Sequence, residues 1–160
     1  MRLILLAAIL MGLANACSCL PPGPPEEEMA KSDAVFSGRV ASIVKDSFGY
    51  VVTFEVERAW KGVEAETLKV RTARDSAACG YAFSEREKYL VYAYRDDDGS
   101  FGTGICGRTA LLSEAGADLE ALGPGTAMTP PKSVFDGGML VAAAMIIIGL
   151  ALLAWLLMKK

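Results

Sequence analysis

Tyr50-Val51-Val52-Thr53-Phe54-Glu55-Val56-Glu57-Arg58-Ala59-Trp60 alternates from Val52 onward: Val52, Phe54 and Val56 are apolar, while Thr53, Glu55 and Glu57 are polar. Successive strand side chains point to opposite faces, so the pattern predicts a strand with one face on a core and one toward water. Ser47-Phe48-Gly49 before it reads as a short hairpin turn, and Lys61-Gly62 closes it. Across that turn, Ala34 to Val44 is a second, largely apolar strand in which Gly38 predicts a bulge or bend. Thr67 to Thr72 alternates as well, and Lys88 to Arg95 is more apolar, the pattern of a central strand. Asp96-Asp97-Asp98-Gly99 reads as a hairpin turn, after which Ser100 to Ile105 runs back. The acid triplet is a solvated turn, since a calcium loop spaces its ligands more widely.

Short helices are expected on either side. Glu26 to Lys31 forms one, with Pro25 near its first turn and acids at its positive end. Ser113 to Leu122 forms an amphipathic one, with Ser113 as N-cap and Gly123 as stop. Leu20-Pro21-Pro22-Gly23-Pro24-Pro25 is a stiff extended lead-in, because proline fixes φ and has no N–H. Five strands in succession with a helix after the last predict a mostly β protein: a five-stranded, partly closed OB-type barrel with a short flanking helix.

The two ends read differently. Arg2, the apolar run Leu3 to Ala14 and the small-x-small Ala14-Asn15-Ala16 have the order of a secretory signal peptide. Residues 1–16 are therefore expected to be removed, so that the mature chain begins at Cys17. Met139 to Met158 is twenty residues without a charge, followed by Lys159-Lys160. That length spans a bilayer as one helix, and the lysines are expected to stay cytoplasmic. Residues 17–122 then form an extracytoplasmic domain, 123–138 a Gly/Pro-rich linker, 139–158 a single C-terminal transmembrane helix and 159–160 a cytoplasmic tail. Gly137-Gly138 ahead of the apolar run also resembles sorting tails that are cut and released. A glycosylphosphatidylinositol signal fits less well, because no polar spacer follows the small residues.

All nineteen acidic residues lie in segment 17–138, and so do all the basic ones except Arg2, Lys159 and Lys160, leaving a net charge of about −6. Nucleic acid is excluded as a partner, since it selects a basic face. The chain has no histidine, which removes Ser-His and Cys-His nucleophile pairs. Glu55/Glu57 and Glu64/Glu66 are paired acids on strand surfaces or turns and read as solvated. The sequence points to no enzyme and to no cofactor. Its four cysteines, Cys17, Cys19, Cys79 and Cys106, all fall in the exported segment. An even count in an oxidising compartment reads as two disulfides, with three possible pairings. A zinc site is the alternative, though such sites usually carry CxxC pairs or histidines.

Cys17-Ser18-Cys19-Leu20-Pro21-Pro22, a Cys-x-Cys start created by signal cleavage, resembles the N-terminus of the tissue inhibitors of metalloproteinases. Ser32-Asp33 leading into Val35 to Val40 is similar to that family's first strand. Trp60-Lys61-Gly62 resembles its aromatic-Lys-Gly turn, Ser76-Ala77-Ala78-Cys79-Gly80-Tyr81 its connector loop, and Tyr89 to Ala93 the strand that follows. The match covers roughly residues 17–122. It implies the netrin-like OB barrel of the family's N-terminal domain, with disulfides Cys17–Cys79 and Cys19–Cys106. It further implies a zinc metalloprotease as partner. The backbone amine and carbonyl of Cys17 would bind the protease's zinc, Ser18 would enter the pocket beside the scissile site, and Cys19, Leu20, Ser76, Ala77 and Ala78 would complete the contact. An α-amine and its neighbouring carbonyl form a five-membered chelate, and an ordinary α-amine pKa of about 7.7–8.0 lets a metal displace the proton.

The departures are a missing third disulfide, no second cysteine-rich domain within these 160 residues, a short hairpin at Ser47 to Tyr50 and a membrane anchor. An extracytoplasmic protein-binding module of the same fold that inhibits nothing is the competing reading. A lipoprotein site at Cys17 is a further one, disfavoured because Ala14 stands where a larger aliphatic residue is usual and because lipidation would orphan another cysteine. Signal cleavage after Ala16 with paired cysteines has a direct consequence. Intact mass of the exported chain should match a free amine at Cys17, with no thiol titratable without reductant; a diacylglyceryl mass would sink both expectations.

Overall fold

The computed structural model describes residues 17–128. Helix α1 (Pro25–Lys31) leads into strands β1 (Ala34–Lys45), β2 (Gly49–Lys61) and β3 (Thr67–Ala73), and a 3-10 turn (Ser76–Ala78) follows. Then come β4 (Lys88–Arg95), β5 (Phe101–Gly102), β6 (Ala110–Leu111), helix α2 (Gly116–Leu122) and β7 (Thr126–Ala127). The predicted signal peptide and the predicted membrane segment, 139–158, lie outside the described residues. Among those described, no helix is long and apolar enough to cross a membrane.

The sheet runs β1-β2-β3-β5-β4 and returns to β1, so that five strands close a barrel. All contacts around the ring are antiparallel except β3 with β5. Closure depends on β1 coiling enough to pair on both edges: Ala34 to Arg39 face Ala93 to Lys88 of β4, while Val35 to Arg39 also pair with β2. Its register with β2 slips at three points, one of them between Ser37 and Gly38. A bulge bends a strand and raises its twist. Gly38 sits there because a Cβ would lie 2.6 Å from the Glu55 carbonyl oxygen.

The alternation read from β2 has its structural meaning here. Val52, Phe54 and Val56 are buried in the barrel with Phe36, Val40, Val70, Tyr89 and Val91. The outward Glu55 and Glu57 are paired with Arg39 and Lys88. Phe54 stacks edge-on with Phe36 and Phe83, each at 5.3 Å between centroids, and Phe83 with Tyr89 at 4.9 Å. Val35, Leu90 and Tyr92 point the other way, into a second cluster that Met29 of α1 and Leu119 and Leu122 of α2 cover. β4 is thus buried on both faces, as its apolar run predicts.

Three expectations need correction. The return segment pairs as a strand only over Phe101–Gly102, because the chain then leaves β4 to reach Arg71 of β3 and the connector loop. Helix α2 begins at Gly116 with Ala115 as N-cap and no side-chain cap; Ser113 lies in the preceding turn, because Ala110–Leu111 is drawn into pairing with β4. Residues 123–128, read as the start of a linker, lie along β2. Trp60 donates to the Gly123 carbonyl at 2.9 Å, Arg58 to that of Pro124 at 2.8 Å, and β7 pairs with Arg58 and Ala59. The acid triplet is a solvated turn as expected: Asp98 binds Arg71 and Ser100, and these contacts, Ser100's first, hold its carboxyl down at about 2.

Gly62, the predicted closing residue, has φ +66°, and a Cβ there would lie 1.9 Å from the Asp33 carbonyl oxygen. Gly62→Ala should therefore lose about 1–3 kcal/mol from left-handed backbone strain alone, with the steric clash added. Urea denaturation reads the loss, and an unchanged midpoint would refute this role.

Candidate functional site

The chain following β3 turns sharply. Asp75 accepts from the Ala78 N–H through its side chain at 3.1 Å, and its carbonyl accepts from Gly80 N–H at 2.8 Å. Asp75 thereby caps the 3-10 turn through its side chain, and Cys79 ends the turn in the left-handed region at φ 62°. Tyr81 N–H then donates to Thr72 Oγ1 at 2.7 Å, so the loop returns onto the strand it left. The result is a short protruding ridge with Ser76, Ala77 and Ala78 exposed.

The N-terminal lead-in lies against that ridge. Cys17 is bonded to Cys79 and Cys19 to Cys106, the pairing the resemblance implies. The Cys17 N–H donates to the Ala77 carbonyl at 3.1 Å. Ser18, Cys19 and Leu20 are exposed and Cys17 is half-buried. Cys17, Ser18, Cys19, Ser76, Ala77 and Ala78 thus form one surface feature, brought together from two distant stretches of chain. Leu20 follows on directly and is 87% exposed.

Two hydrogen bonds fix the far end of the lead-in. Gly23 N–H donates to Glu28 of α1 at 3.1 Å, and Gly23 C=O accepts from Arg108 at 3.0 Å. Arg108 is itself held by Asp118 of α2, to which the Tyr92 hydroxyl also donates, at 2.9 Å. Burial pushes the Asp118 carboxyl up, but the Arg108 and Tyr92 hydrogen bonds more than offset this and hold it below its usual range. The Lys31 ammonium, followed by the Gly23 N–H, does the same for Glu28. Tyr92 is raised, first by burial and then by Asp118.

Sequence reasoning missed this network and one neighbour. Phe48, 82% exposed at the β1–β2 hairpin tip, lines an open groove of about 700 Å³ with Cys79, Cys106 and Tyr94. Asp75 three residues before Ala78 was a legible turn signal. Nothing in the sequence marks Arg108 and Asp118 as partners. No protein-family model matches the chain, and no curated protein matches it.

The charge network gives a pH dependence of definite sign. Asp118 and Glu28 have folded-state pKa values below their unfolded ones, so their stabilisation is present above about pH 4 and is lost as pH falls through the folded values. Asp118→Asn should cost about 1–3 kcal/mol at pH 7 by leaving Arg108 poorly partnered. It should also flatten the acid limb of the stability profile. A variant with an unchanged acid limb would show that Asp118 is not a source of the dependence.

Proposed function

We propose that this chain is a membrane-anchored extracytoplasmic inhibitor of zinc metalloproteases, acting through the backbone amine and carbonyl of Cys17. The barrel is read as OB-type and netrin-like, a reading supported by the strand order β1-β2-β3-β5-β4-β1 with its parallel β3–β5 contact. The observation that carries the proposal is the bridge from Cys17 to Cys79, with the Cys17 nitrogen 3.1 Å from the Ala77 carbonyl oxygen. It gives the N-terminal residue a fixed place on an exposed ridge.

Signal cleavage converts the Cys17 N–H into an amine with a lone pair. In a catalytic zinc site three protein ligands leave a position for water. The amine and the Cys17 carbonyl take that position as a chelate, and Ser18 enters the adjoining pocket. Leu20 lies on one side of the metal and Ser76, Ala77 and Ala78 on the other. Because the disulfides and the Gly23 contacts already order the ridge, little conformational entropy is lost on binding. The chain has no catalytic role in this reading: it blocks the target's metal and offers no bond to cut.

One alanine inserted before Cys17 tests the chelate. It moves the amine by a residue, about 3.3–3.6 Å, further than a zinc–nitrogen bond of about 2.0–2.1 Å. Inhibition should collapse while thermal stability and both bridges persist. Ser18→Gly should shift the protease profile without abolishing inhibition. Equal inhibition by the extended chain would sink the chelate. Absence of inhibition across a broad metalloprotease panel would favour a non-inhibitory binding module of the same fold.

A further inference from the structure

The four cysteine sulfurs converge on one point. All four Sγ atoms lie within 4.8 Å of one another. Across the two bridges, Cys17 Sγ is 3.6 Å from Cys106 Sγ and 3.8 Å from Cys19 Sγ. In a tetrahedral zinc tetrathiolate with bonds of about 2.3 Å, neighbouring sulfurs are about 3.8 Å apart. Two of the edges of such a tetrahedron are therefore already present between sulfurs that are not bonded to each other.

The backbone around the cluster is held by contacts that do not involve sulfur. Cys17 N–H donates to Ala77 C=O at 3.1 Å, Cys79 N–H to Ser76 C=O at 3.2 Å, and Ile105 N–H to Cys79 C=O at 3.0 Å. Arg108, two residues beyond Cys106, binds the Gly23 carbonyl, four residues beyond Cys19. These contacts tie the lead-in, the connector loop and the 104–108 segment together independently of the bridges. Opening each bridge asks its sulfurs to separate by less than about 2 Å, from a bond of about 2.0 Å to a tetrahedral edge. Side-chain rotation supplies a displacement of that size.

We infer that the reduced form of Cys17, Cys19, Cys79 and Cys106 is a zinc-binding site, so that the same four residues staple the domain by disulfides under oxidising conditions and by one divalent zinc ion under reducing ones. A two-electron reductant opens each bridge: a dithiol gives two thiols and one oxidised dithiol, and a phosphine with one water gives two thiols and one phosphine oxide. Zinc then displaces the four thiol protons and forms four Zn–S bonds. The chain has no histidine to compete as a ligand, and thiolates are the softest donors it has. Cys19 is exposed and gives reductant and metal a route in. The inference is independent of protease inhibition, because the ligands are side-chain sulfurs.

Cobalt(II) is the probe. The purified full chain, in detergent, is reduced with a phosphine under anaerobic conditions and titrated. One cobalt per chain should bind, with the intense visible bands of a tetrahedral thiolate site, and unreduced chain should show none. Zinc should bleach those bands, and zinc-loaded reduced chain should keep slow amide exchange in β4. Cys106→Ser should lose the tetrathiolate spectrum and at least the roughly tenfold in affinity that changes to mere outer-shell partners cost. The inference is overturned by an octahedral spectrum only, by binding no tighter than in concentrated urea, or by a metal-loaded chain whose β4 amides exchange freely.

Discussion

The pairing of β1 with β4 is the constraint on which everything else rests. β1 must pair with β2 on one edge and with β4 on the other, and it does so over the same residues, Val35 to Arg39. A closed sheet has no free edge and encloses its own interior, so a barrel this small needs little else to bury Phe36, Phe54 and Val91 completely. Closure also makes β1 and β4 two-sided. Their outer faces, with Val35, Leu90 and Tyr92, become the floor on which the two helices pack. Each such side chain contributes about 1.5–3 kcal/mol when withdrawn from water.

Closure decides where the loops emerge. Gly49 faces Ala73 across β2 and β3, and the connector loop leaves from there. The return from β4 reaches Arg71 and then Cys79 through backbone hydrogen bonds. Cys79 and Cys106 are therefore held near one another by backbone hydrogen bonds as well as by sulfur, and Cys17 and Cys19 are bonded to the two segments so joined. The bridges close loops with sequence separations of 62 and 87. Loops of that length remove substantial entropy from the unfolded chain, which suits a domain whose core is modest.

The buried charges serve the same geometry. Asp118 lies between Arg108 and Tyr92, joining α2, the segment after Cys106 and the central strand in one network. Arg108 extends it to Gly23, and Glu28 reaches Gly23 from the other side. No described buried side-chain polar atom is left without a partner, which limits the cost of burying these charges. The lead-in is thereby fixed at both ends, by sulfur at Cys17 and Cys19 and by charge at Gly23.

The sequence by itself determined the strands that carry a period of two, β2 above all, together with α1, the acid turn and the breaks at Gly38 and Gly62. Each is a local matter of side-chain alternation or backbone φ, legible within a few residues. It also held the cysteine count, though the pairing came from resemblance and not from spacing. Only the tertiary structure decided that β5 is two residues long, that α2 starts at Gly116 and not at Ser113, and that residues 126–127 pair with β2. Those outcomes depend on which distant strand competes for the backbone, and no local pattern encodes a competitor. The same holds for Arg108 and Asp118: on the linear chain they are two charges ten residues apart, and the barrel alone places them beside Tyr92 and Gly23.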